Sequence, residues 1–277
     1  MQTELLAPEL PTTPNPVRLA QTGTSQTGRA GRLIVNADDW GRDRETTQRT
    51  LDCLGKKTVS SVSAMVFMED SERASAIALD SGIDAGLHLN FTAPFSGPEI
   101  SSSLAERHNR IASYLLCHPL ARVFFHPALR GCFTYVLQAQ VEEFQRLYGK
   151  APARIDGHHH MHLCANVLFG NLLPPGTIAR RNFSFGTGEK SVLNRYYRKW
   201  IDGRLAKRHR LTEFLFSLAP VEPPSRLQRI FSIARQHEVE LETHPVNPAE
   251  YEFLTSGEFT RQLGDLLVAP RFALPRE

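Results

Sequence analysis

Two adjacent carboxylates, Asp38 and Asp39, directly follow the run Leu33-Ile34-Val35-Asn36-Ala37. Neighbouring anions repel one another unless a cation or a shared proton relieves them. With a divalent metal present, one aspartate binds the ion and the other stays free as a general base. His88 lies in the apolar context Gly86-Leu87-His88-Leu89-Asn90. Further along, Ile155-Asp156-Gly157-His158-His159-His160-Met161-His162 carries four imidazoles in five positions. Neutral imidazole is a good ligand for Zn²⁺, Fe²⁺, Co²⁺ or Ni²⁺. If this segment is helical, His158 and His162 share a face; if it is extended, alternate residues do. Adding Asp39 gives a site of two histidines and one carboxylate with open positions for water and substrate. His244, in Glu242-Thr243-His244-Pro245, precedes a proline, which restricts its backbone to extended conformations and fixes its direction.

These residues need elements to hold them. The run at 33–37 reads as a strand buried on both faces. A helix is expected over 46–54, a strand over 59–65, and a helix over 70–79 with Ser71 as its N-cap. Further strands are expected at 83–91, from 155, at 178–185 and at 239–244, with helices at 138–148 and 227–237. Alternating strands and helices imply a parallel α/β sheet, in which functional groups gather at the C-terminal ends of the strands. Asp38, Asp39, His88, His158 and His244 all fall at or just past such ends.

Composition narrows the class. The 277 residues carry 32 basic and 29 acidic side chains, a net +3 that does not argue for nucleic acid. Four cysteines without C-x-x-C spacing exclude a disulfide scaffold and a thiolate zinc finger, and read as free thiols of a cytoplasmic protein. No apolar run reaches the roughly 18 residues of a membrane helix. Residues 1–30, rich in Pro, Gly, Ser, Thr and Gln, read as a disordered tail ahead of a single domain at 31–277. There is no Gly-x-Ser-x-Gly, phosphate loop, dinucleotide fingerprint or His-Glu-x-x-His. Residues 190–210 hold eight basic side chains against Asp202 alone. That stretch reads as a solvated basic helix or as a patch for an anionic surface or substrate.

Leu33-Ile-Val-Asn-Ala-Asp-Asp-Trp-Gly41 resembles the opening strand of the YdjC-like (ChbG/HpnK) carbohydrate deacetylases. Gly86-Leu-His-Leu-Asn-Phe-Thr92, Ile155-Asp-Gly-His-His-His-Met-His162 and Glu242-Thr-His-Pro245 resemble their later motifs, in the same order. Trp40 stands where Phe is usual, and Val246 where many members have Gly. The resemblance implies an α/β, deformed (β/α) barrel of mostly parallel strands that removes N-acetyl groups from an amino sugar or related glycan. It implies a divalent ion, Mg²⁺ or Zn²⁺, held by Asp39, His88 and His158, with Asp38 as general base and His244 as general acid. Arg180 or Arg181 would steady the base or the substrate. The expected partner is an N-acetylated sugar or glycan, with no nucleic acid and no integral membrane segment, and a homodimer is compatible with the reading. Two rivals stand beside this reading: a phosphoesterase on the same scaffold, and a glycan-binding relative without catalysis.

Overall fold

The computed structural model describes residues 31–186 and 188–274; the expected tail at 1–30 lies outside them. Seven strands form one sheet: β1 (Arg32–Trp40), β2 (Ser61–Ala64), β3 (Ala85–Leu89), β4 (Arg154–Gly157), β5 (Ile178–Ala179), β6 (Phe214–Ser217) and β7 (Glu238–Thr243). Every pairing is parallel, in the order β5-β4-β3-β2-β1-β7-β6. The sheet curls until its edges meet. Arg210, ahead of β6, bridges Ile178 of β5 in parallel, and the Ser184 N–H donates to the Leu215 carbonyl. Nine helices surround it among the described residues: α1 (Arg44–Gly55), α2 (Ser71–Ser81), α3 (Ser102–Cys117), α4 (Arg130–Tyr148), α5 (Ala165–Gly170), α6 (Val192–Leu205), α7 (Pro224–Ala234), α8 (Pro248–Thr255) and α9 (Glu258–Leu263). The result is a single α/β domain built as a deformed barrel.

Period-two alternation divides the strands into two faces. Leu33, Val35 and Ala37 of β1 point outward, with Val62 and Ala64, Leu87 and Leu89, Ile155, Val239 and Leu241, into the core shared with the helices. Their alternates point inward and are polar: Asn36 and Asp38, Ser61 and Ser63, His88, Arg154 and Asp156, Glu240 and Glu242. Ile34, with Ala269 and Phe272 from the C-terminal segment, closes the interior at the N-terminal end of the strands. Gly86 sits inside because a Cβ there would lie 2.7 Å from Arg154 Nε. The hydrophobic core thus lies between sheet and helices, and the barrel interior is left to charge.

Two expected elements differ and one strand is additional. Asp70, not Ser71, precedes α2; Ser71 Oγ instead accepts from the Met68 N–H and donates to the Met65 carbonyl, tying the incoming loop to the helix. The strand expected at 178–185 pairs only at Ile178–Ala179, because beyond it the chain turns along the cleft. The strand β6, with its Phe214-Leu215-Phe216 run, was not anticipated. All four cysteines are free, and burial pushes the thiols of Cys53 and Cys164 up to about 12.

Candidate metal centre

Asp39, His88 and His158 converge at the C-terminal ends of β1, β3 and β4, all buried, with one ligand atom from each within 4.8 Å of the others. Adjacent strand residues ordinarily face opposite sides of a sheet, so Asp38 and Asp39 should not both reach the interior. A register shift against β2 between Ala37 and Trp40, with Asp39 at φ 64°, turns Asp39 to the same side as Asp38. A non-glycine residue in this left-handed region costs on the order of 1–3 kcal/mol and persists only where its surroundings enforce it. Here Trp40, fully buried in the core, anchors the far side of the irregularity.

The hydrogen bonds sort the two aspartates. Asp38 takes both ends of the Arg180 fork, at 2.6 and 2.7 Å, and the Asn36 Nδ2–H at 2.8 Å. Asp39 has Arg42 on Oδ2 at 3.1 Å, while its Oδ1 faces His158 Nδ1 at 2.9 Å and His88 Nε2 at 3.3 Å. Burial acts to raise the Asp39 carboxyl, but the two histidines outweigh it and hold it well below the usual carboxylate range. His88 Nδ1 lies 2.7 Å from Asp156 Oδ1, and a carboxylate there accepts, so Nδ1 carries the proton. That leaves Nε2 buried without a hydrogen-bond partner, 3.3 Å from a carboxylate oxygen. Burial opposes charge on His88, but Asp38, Asp156 and Asp39 raise its pKa well above the ordinary value. A carboxylate oxygen and a ring nitrogen this close in a buried pocket need a positive charge between them, supplied by a proton on Nε2 or by a metal ion.

Arg180 is the hub of the interior. Besides Asp38 it reaches Asp156 at 3.0 Å, Glu240 at 2.7 Å and Glu242 at 3.1 Å, all buried. One guanidinium cannot neutralise four carboxylates. Burial accordingly raises the pKa of Glu240 and, further, of Glu242, where Asp38 adds to it. Arg181 points elsewhere, to Asp202 and the carbonyls of Thr212 and Glu213. Of the two arginines considered from the sequence, Arg180 is the one that meets Asp38.

The histidine tract is not helical, because His159 and His160 both sit in the left-handed region, so the i, i+4 relation between His158 and His162 does not arise. His162 Nε2–H donates to the Arg180 carbonyl at 2.9 Å, away from Asp39, and burial pushes its pKa down to about 4. Gly157 makes the room: a Cβ there would meet His162 N at 3.0 Å. His159 pairs with Thr92 Oγ1 at 3.1 Å, and His160 Nε2 approaches Glu242 at 3.3 Å. Both line a cleft of about 390 Å³ that also meets Arg122, Asn182, Tyr197 and Arg198. His244 is half-buried near Asp38 and Glu242, its backbone N–H held by Glu250 at 2.9 Å.

The family profile described as YdjC-like protein matches residues 32–265, which span every strand of this sheet. The chain belongs to the YdjC-like family. A carbohydrate deacetylase of Mus musculus is 32% identical over 145 residues, 49% of this chain and 44% of that protein. A chitooligosaccharide deacetylase of Serratia marcescens is 30% identical over 134 residues, 47% of this chain and 50% of that one. The chain spans about half the length of the curated relatives it matches. A solved Enterococcus faecalis structure, named for cellobiose-phosphate cleavage, superposes with a TM-score of 0.61 at 17% identity, covering 87% of this chain and 97% of that one. That likeness bears on the fold.

Asp156, Glu240 and Glu242 were not singled out from the sequence. The signal was period two: Glu238, Glu240 and Glu242 alternate with Val239 and Leu241 in a strand flanked by apolar core. Acidic residues on one face of a buried strand mark a charged interior.

Proposed function

We propose that the protein is a metal-dependent deacetylase that hydrolyses the N-acetyl group of an amino sugar or a related glycan. The observation that carries this reading is the buried, unpartnered His88 Nε2 aimed at Asp39 Oδ1, with His158 beside them. The names of the family relatives supply the substrate class. Asp39, His88 and His158 would hold the ion. When bound, a divalent cation supplies Lewis acidity toward a carbonyl oxygen and lowers the pKa of water. Two imidazole nitrogens and one carboxylate favour a borderline ion such as Zn²⁺ over Mg²⁺, which prefers an all-oxygen shell.

The remaining roles fall to the chain itself. Arg180 fixes the Asp38 carboxylate, leaving Oδ2, which among the described residues has the guanidinium as its one hydrogen-bond partner, to take a proton from water. Asp156 holds His88 in the tautomer that presents Nε2. His244, with a ring nitrogen within 4.8 Å of an Asp38 carboxylate oxygen, would protonate the departing amine. The polar cleft beside His159 and His160 offers Asn182 and Asn194 to sugar hydroxyls.

A phosphoesterase using a second ion is disfavoured. Its ligands would be Asp38, Glu242 and His244, but Arg180 Nη1 already lies 2.6 Å from Asp38 and 3.1 Å from Glu242. The test is acetate release from a panel of N-acetylated sugars and oligosaccharides, using metal-stripped protein with ions added back. Release that is lost on stripping and restored by an ion supports the reading. Full activity in protein shown to be metal-free by elemental analysis overturns it.

A further inference from the structure

The basic stretch at 190–210 contains α6, and the helix has two apolar stripes. Ile201 and Leu205 face the core. Leu193, Tyr196, Tyr197 and Trp200, at spacings of three, four and seven, face solvent, with Leu193 82% and Tyr196 69% exposed. Ten of the thirteen exposed large hydrophobic side chains among the described residues lie on α6, on Phe169 or in the segment 116–125. These pieces adjoin one another. Phe169 and Trp200 lie 6.0 Å apart, and Leu120 and Arg122 line the same cleft as Tyr197 and Arg198. An apolar patch of this kind marks an interaction surface.

Its charge identifies the partner. No Asp or Glu occurs between residues 107 and 141, and Asp202, the one acid of 190–210, is buried against Arg181. Arg122, Lys199, Lys207 and Arg208 remain exposed around the apolar residues. A second copy of this chain, pairing through the same face about a two-fold axis, would set this positive rim against itself. Trp and Tyr mixed with aliphatic residues and ringed by Lys and Arg suit the boundary of an anionic bilayer.

We propose that α6 and the segment 116–125 dock the protein peripherally on an anionic lipid surface, with Leu193, Tyr196 and Trp200 at the acyl boundary and the basic side chains among the head groups. The docking does not depend on what the metal centre does. Among the described residues no helix is long and apolar enough to cross a membrane, so the contact is with the surface.

The full chain is sedimented with phosphatidylcholine vesicles, with and without phosphatidylglycerol. Binding to the mixed vesicles and not to pure phosphatidylcholine, weakening as salt is raised, is expected. Trp200 emission should shift to the blue on binding, since the other tryptophan, Trp40, is already fully buried. The pair Lys199→Glu and Lys207→Glu should weaken binding by roughly tenfold or more. The pair Leu193→Glu and Tyr196→Glu, at positions already in water and so safe for folding, should do the same. No sedimentation with mixed vesicles, or binding that neither pair changes, overturns the proposal. So does a dimer lost in the Leu193→Glu and Tyr196→Glu protein while vesicles go unbound.

Discussion

Both terminal nitrogens of Arg180 reach Asp38 and neither bonds Asp39, which is left to the histidines and Arg42. This asymmetry separates two chemically identical neighbours, and their variants should behave differently. Asp38→Asn should retain the metal by elemental analysis and lose about 10²–10⁴ in acetate release, the usual worth of a general base. Asp39→Asn should lose the metal itself. The reverse pattern would show the roles exchanged. Arg180→Met leaves several buried carboxylates without their cation, and should lower stability by about 3–5 kcal/mol in denaturant titration. Among the histidines, His158→Ala should abolish metal binding, whereas His162→Ala should keep the metal and melt lower, because it frees the Arg180 carbonyl. Asp38, Asp39, His88 and His158 were legible in the sequence because acidic and imidazole groups at strand ends are conspicuous. Asp156 and Glu242 stood in the same motifs but were passed over, because each contacts His88 or Arg180 and the spacing of those partners in sequence gives no sign of the contact.

At the scale of elements, the strands that read well were those with β-branched or apolar alternates, such as Leu33 to Ala37 and Val239 to Thr243. The strand missed, β6, has four residues and pairs with β7, while the strand expected at 178–185 is cut to the two residues of β5 that pair with β4. The bulge at Asp39 could not be read either, since it arises from the register between β1 and β2 and not from local preference. Helix α3, also unanticipated, buries His108 against Phe95, ring centroids 4.2 Å apart, and burial pushes that imidazole down to about 4 from an ordinary 6.5. Between those values the unfolded chain takes up a proton that the folded chain refuses. Stability therefore falls as pH drops from 6.5 toward 4, and His108 has no effect above that window. His108→Phe should remove this component. Melting temperatures of the two proteins, followed from pH 7 to pH 4.5, should diverge in favour of the variant toward acid; parallel curves would refute it.

For the whole molecule, placing the core outside the sheet has a thermodynamic result. The fold rests on helix–sheet packing, while the interior concentrates Asp38, Asp156, Glu240 and Glu242 around Arg180, with Asp39 buried next to them. Stripping the ion should leave the far-ultraviolet circular dichroism intact and lower the melting temperature. Restoring it at a hundred times its dissociation constant should return about 2.7 kcal/mol of stability. Zn²⁺ or Co²⁺ should restore more than Mg²⁺, and the opposite order would show that the histidines do not both bind. The strand order has a different consequence, for synthesis on the ribosome. β1 is the first of the described strands to be made and lies inside the sheet, between β2 and β7, with Arg32 of β1 registered against Glu238 of β7. At about 5–20 residues per second, translation keeps that partner away for roughly 10–40 s. Throughout that interval the nascent chain carries a Leu-Ile-Val strand with an open edge, the feature that invites pairing with a neighbouring chain. Demand for chaperones should therefore be set by the wait for β7.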